Sequence, residues 1–273
     1  MIGRGAVAAL LSSLVISLFA GCSIGGPQVS ASAKCDGPAF TSEDMPTAAP
    51  QVLVLVELSR NDSKARETVV QAIDPIVKRT VAEGAVVRLL AAGGVGQPIL
   101  ESSCLNGAAA IMVDRNNDET ERRARDTAVA AIEGDVSAWL EEVKIGPDGD
   151  LSNLLAEAPG KLRSLASADG TRPGAHASLL LISDLTSPAA RGDCLNLDGV
   201  PDTRRVADEL VARCLETGQL RVLPEDTTLQ IVKPQLTPGS DAGARMSVFL
   251  ERSLCVQLTN ESTGCVSGPV GEG

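Results

Sequence analysis

The chain has no tyrosine, one tryptophan, three phenylalanines and one histidine in 273 residues. Solute-binding lobes usually grip their ligands with aromatic and polar side chains, so a chain this poor in rings matches that class weakly. The lone His176, in a Gly-rich lead into an apolar run, anchors no familiar nucleophile triad. Cys-x-x-Cys is absent, which together with the single histidine removes the common zinc and dithiol-redox signatures. No Gly-x-Ser-x-Gly elbow occurs, and Gly93-Gly94-Val95-Gly96 lacks the helix and the Lys-Ser or Lys-Thr of a phosphate loop. Positive charge is scarce as well. With 24 Lys and Arg against 35 Asp and Glu, the formal charge is −11. That balance argues against nucleic acid or a strongly anionic lipid surface, since both reward clustered cations.

What is present begins with an address. Arg4 precedes an apolar run from Ala6 to Phe19, followed by Ala20-Gly21-Cys22. The run is shorter than the roughly 20 residues needed to cross about 30 Å of hydrocarbon. It resembles the bacterial lipobox, with Phe19 in place of the usual Leu. The resemblance implies that residues 1–21 are a signal peptide and that Cys22 becomes the lipid-carrying first residue of the mature chain, with diacylglycerol and a further acyl chain such as palmitate. It further implies a membrane partner reached through lipid and an extracytoplasmic location. Residues 22–50, rich in Gly, Pro, Ser and Ala, read as a spacer.

Six further cysteines remain, Cys35, Cys104, Cys194, Cys214, Cys255 and Cys265, an even number that suggests disulfides in an exported chain. Six allow fifteen connectivities. Proximity along the chain favours Cys194 with Cys214 and Cys255 with Cys265, leaving Cys35 for Cys104.

Gln51 to Leu58 (QVLVLVEL) is a continuous apolar run of strand length, the pattern of a strand buried on both faces. A helix follows to Glu83, then a strand over 85–92 and an extended return over 97–103, read as a hairpin. Helical spacing marks 117–144 and 151–168, the second with a break expected at Pro159-Gly160. Ser178 to Asp184 is another buried strand. Helix 203–217, strand 227–233 and helix 241–255 complete the alternation, with a frayed end expected from Val266 onward. Strands alternating with helices predict a three-layer α/β domain over 51–257, with a central, mostly parallel sheet, helices on both faces and a disulfide-tethered tail over 258–273.

In open α/β sheets ligands gather at the carboxyl ends of strands, which directs attention to Glu57-Leu58-Ser59-Arg60-Asn61 and to Ser183-Asp184-Leu185-Thr186. Together these segments resemble the von Willebrand factor A domain, whose Asp-x-Ser-x-Ser loop follows the first strand and whose later strand ends in Asp, usually followed by Gly. The resemblance implies a divalent cation, usually magnesium, held by oxygen ligands and completed by a partner's carboxylate. Carried onto this chain, the ligand set is Glu57, Ser59 and Asn61, with Asp150 from the middle loop GPDGDLSNLLAEA, and Asp184. Glu57 stands in place of Asp and reaches one methylene further, which crowds an ion demanding near-ideal octahedral geometry. Ser59, Asn61 and Asp62 also sit where side chains cap a helix, and Asp184 where an Asx turn forms. The function implied is a non-catalytic, membrane-tethered module that binds a protein, such as an envelope protein, or another envelope component. The alternatives are a solute-binding lipoprotein of a transporter and a metal-dependent hydrolase.

Overall fold

A computed structural model describes residues 51–58, 62–83, 86–92, 99–102, 105–106, 118–143, 149–168, 177–185, 194–197, 199–233, 241–259 and 265–267. The leader, Cys22, the spacer, Cys35, Ser59, Asn61, Cys104 and His176 lie outside these residues. The elements are β1 (Gln51–Glu57), α1 (Ser63–Glu83), β2 (Val86–Ala91), β3 (Leu100–Glu101), β4 (Leu105–Asn106), α2 (Asp118–Glu142), α3 (Leu151–Ala168), β5 (Ala177–Ser183), α4 (Arg204–Glu216), β6 (Thr227–Val232), α5 (Asp241–Leu258) and β7 (Cys265–Ser267).

The seven described strands join one sheet in the order β3-β2-β1-β5-β6-β7, with β4 also pairing β2. The pairs β1/β2, β1/β5, β5/β6 and β6/β7 are parallel, whereas β3 and β4 return antiparallel to β2. The apolar runs of β1 and β5 take the middle because both their faces must be covered. Val52, Val54 and Val56 face the layer of α1 and α2, where Ile73, Ile76, Ile132 and Leu140 are buried. Leu53 and Leu55 face the opposite layer, with Leu154, Leu155 and Leu162 of α3 and Leu250 and Leu254 of α5. This is a three-layer α/β fold. At the sheet edge, Glu101 takes Arg88 Nη1 at 2.7 Å and Lys161 Nζ at 2.5 Å, tying β3 to β2 and to α3.

Three details differ from the sequence expectation. Helix α3 runs unbroken through Pro159-Gly160, because Leu154, Leu155, Ala158 and Leu162 bury one continuous stripe whose packing outweighs the hydrogen bond that Pro159 cannot donate. Helix α5 continues to Leu258, which is itself buried. Cys265–Ser267 forms an edge strand beside β6, so Val266 and Ser267 belong to the sheet. The disulfides Cys194–Cys214 and Cys255–Cys265 are formed, with Cα separations of 5.4 and 5.5 Å. The second ties β7 to α5, and the first ties the 194–197 segment to α4.

Candidate functional site

Strand order reverses direction at β1, whose neighbours β2 and β5 are followed by connections running opposite ways across the sheet. The carboxyl ends of β1 and β5 therefore form the switch point where open α/β folds place ligands. Two polar residues stop the apolar runs there. Glu57 and Ser183 are Cα partners in the parallel register, and both are fully buried. Ser183 Oγ donates to Glu57 Oε2. The same hydroxyl oxygen accepts the Leu185 backbone N–H at 3.0 Å. One serine thus links the two central strands and the turn that leaves β5.

That turn is unusual. Leu185 has φ +51°, a left-handed conformation uncommon for a branched side chain, yet the side chain is buried in the α3–α5 core. It occupies the position where the resembled family has glycine. Asp184 precedes it, largely buried, and its carbonyl accepts from Ser247 Oγ of α5 at 3.3 Å.

Above Glu57, the third wall is backbone. A Cβ at Gly149 would lie 3.2 Å from Glu57 Cγ and 3.3 Å from Oε1, so a larger residue there would press on the Glu57 side chain by a few tenths of an ångström. Asp150 then caps α3: its Oδ1 accepts from Asn153 N at 2.9 Å and from Ser152 Oγ at 3.1 Å. Asp62 does the same for α1, accepting from Ala65 N at 2.8 Å. The void left beside Glu57 is about 10 Å3, its described walls are largely leucines including Leu151, Leu195 and Leu250, and a single water would fill it.

Glu57 ends β1 and Asp184 directly follows the end of the adjacent β5, with the segment carrying Asp150 packed against Glu57. The described residues do not fit a hydrated divalent ion. A magnesium-like ion keeps several waters in an octahedral shell, whereas Glu57 is engaged by Ser183, Asp150 by its helix, and the space beside Glu57 has room for only one water. Among the described residues no group of three or more His, Cys, Asp or Glu is placed to hold a metal. Sequence reasoning gave Gly149 no role, and it named Ser183 and Leu185 only as members of a strand-end segment. The one available signal was that two apolar runs of equal length each end in a polar residue, which a parallel register sets side by side.

No protein-family model matches the chain, and no curated protein matches it. Among solved structures, the manganese-loaded TRAP protein of Plasmodium vivax is similar at 13% identity and a TM-score of 0.32, over 81% of this chain and 69% of that one. The architecture described above rests on the strand pairing of the chain itself.

Proposed function

We propose that this chain is a lipid-anchored, extracytoplasmic, von Willebrand A-like module that binds a protein of the cell envelope and catalyses nothing. The observation that carries the reading is the closure of the switch point. A small-molecule site needs roughly 300 to 1,000 Å3, and here the protein's own Glu57, Ser183, Gly149 and Leu185 occupy the place, leaving about 10 Å3. Binding then falls to the outer surface. Among the described residues every strand joins one sheet, which weighs against a two-lobed solute receptor, whose hinge would separate two sheets. The leader ending at Cys22 supports the anchor: several acyl chains on one cysteine, each buried methylene contributing about 0.8 kcal/mol, hold a protein stably at a bilayer.

The test has two arms. Labelled palmitate is followed into the parent and Cys22→Ala chains, with the parent expected to carry label and enter the detergent phase. Crosslinking on intact cells, followed by pull-down from solubilised envelope, is expected to recover a defined partner. Recovery of nothing above a tag control overturns the binding reading, and equal labelling of both chains overturns the anchor.

A further inference from the structure

The outer face of α5 carries a straight stripe of exposed residues. Arg245, Val248, Arg252 and Val256 follow one another at three-, four- and four-residue steps, which sets them in line along a helix. Val248 and Val256 are 54% and 49% exposed, more than any other large hydrophobic among the described residues. Arg245 also pairs with Asp202 at 2.6 Å. The neighbouring carboxylate, Glu251, turns inward and is buried against Lys233. The stripe is therefore aliphatic and basic, with Arg252 at its centre.

A stripe of opposite character lies on α2. Ala130, Gly134, Ala138 and Glu141 are exposed at four-, four- and three-residue steps, the α5 spacing read in reverse, and the exposed Asp135 and Glu142 flank them. Glycine inside a helix is destabilising relative to alanine. A Cβ on Gly134 would meet no described atom within 4 Å, so packing within one copy does not call for glycine there. A strip of small residues does admit the close approach of a second helix. Laid antiparallel with Gly134 against Arg252, the two stripes pair along about 16 Å at the helical rise of about 1.5 Å per residue. Val256 then meets Ala130, Val248 meets Ala138, and Arg245 meets Glu141. Each large side chain faces a small or oppositely charged one, and Arg252 lies over the glycine beside Asp135. The same setting brings the positive amino end of α5 to the acidic carboxyl end of α2.

We infer that α5 of one copy docks on α2 of a second copy of this chain. Helix α2 packs on one face of the sheet, through Ile132 and Leu140, and α5 on the other, through Leu250 and Leu254. A pair of copies therefore leaves one stripe of each kind open, and the association is head-to-tail, continuing to third and later copies as a stack or a ring. Two helix faces of this length bury less than about 1,200 Å2, the size of weak, reversible contacts, so association is expected at about 0.1 to 1 mM. A lipid anchor of the kind proposed above confines copies to one plane and raises their effective concentration. The association itself depends neither on the anchor nor on an envelope partner.

The test is sedimentation equilibrium of the full chain in density-matched detergent over about 0.01 to 1 mM. The average mass of the parent is expected to rise past two copies. Arg252→Glu, which breaks the α5 stripe, and Gly134→Gln, which fills the α2 strip, are each expected to stay monomeric. Their equimolar mixture is expected to associate again and to stop at two copies, because only one intact stripe of each kind remains. Arg163→Glu, on the exposed side of α3, makes the same charge change as Arg252→Glu and is expected to behave as the parent. Gly134→Gln is expected to melt no lower than the parent, since glutamine is the better helix former, and Arg252 is exposed, so lost docking is separated from lost folding. A parent that stays monomeric at about 1 mM or stops at two copies, a stripe variant that associates like the parent, an Arg163→Glu variant that fails with Arg252→Glu, or a mixture that stays monomeric overturns the proposal.

Discussion

Ser183→Ala is the sharpest probe of the switch point. The substitution removes one oxygen without leaving a large cavity, so its cost reports the two hydrogen bonds that oxygen makes. A hydroxyl given to a buried carboxylate contributes about 1.5 to 3 kcal/mol, and the orphaned Leu185 N–H adds about 1 kcal/mol. The total is about 2.5 to 4 kcal/mol, which for a chain of this size lowers the melting temperature by roughly 5 to 16 °C. Urea unfolding followed through Trp139, the single tryptophan, gives the free energy directly, because Trp139 packs against the α1–α2 core. The slope against urea is expected to stay constant, since the surface exposed on unfolding does not change. Glu57→Gln keeps an acceptor but removes the charge, so Ser183→Ala is expected to cost about 1 kcal/mol less in that background. A Ser183→Ala cost under about 0.5 kcal/mol, or no coupling to Glu57, refutes the claim that this pair closes the site.

Three further outcomes follow from the same geometry. At Leu185 the usual order of substitutions is expected to invert: Leu185→Gly is more stable than Leu185→Ala by about 1 kcal/mol in urea titrations, because glycine relieves the left-handed backbone that alanine retains. Melting curves in magnesium, manganese or EDTA are expected to coincide, whereas an ion held only by the folded state at a hundredfold excess over Kd adds about 2.7 kcal/mol; an ion-dependent rise abolished by Asp184→Ala contradicts closure. Between α1 and α2, the Lys78 hydrogen bond holds the Asp74 carboxyl below its ordinary range, and the facing Asp74 raises Glu133. A raised carboxyl favours folding below its unfolded pKa and loses that contribution as pH rises through the folded one, while Asp74 acts oppositely, losing its contribution as pH falls. Glu133→Gln is therefore expected to stabilise the chain by a few tenths of a kcal/mol at neutral pH. That gain should vanish in acid, and urea titrations at both pH values check it.

The amino-acid sequence by itself determined the secondary elements and the layered class, because apolar periodicity is a local signal and runs such as QVLVLVE and ASLLLIS have one way to bury both faces. Spacing also favoured the two cysteine pairs that the structure forms. Glu57 and Asp184 were legible as strand-end carboxylates, and Asp150 as a residue of the loop above them. What they do was decided only in three dimensions. The partner of Glu57 lies 126 residues away, and its identity depends on the register of β1 with β5, which no local pattern encodes. The continuation of α3 through Pro159 depends on a buried stripe that exists only against the sheet. Leu185 keeps its left-handed backbone because the core holds its side chain and Ser183 holds its amide, a balance between strain and burial that tertiary packing alone sets.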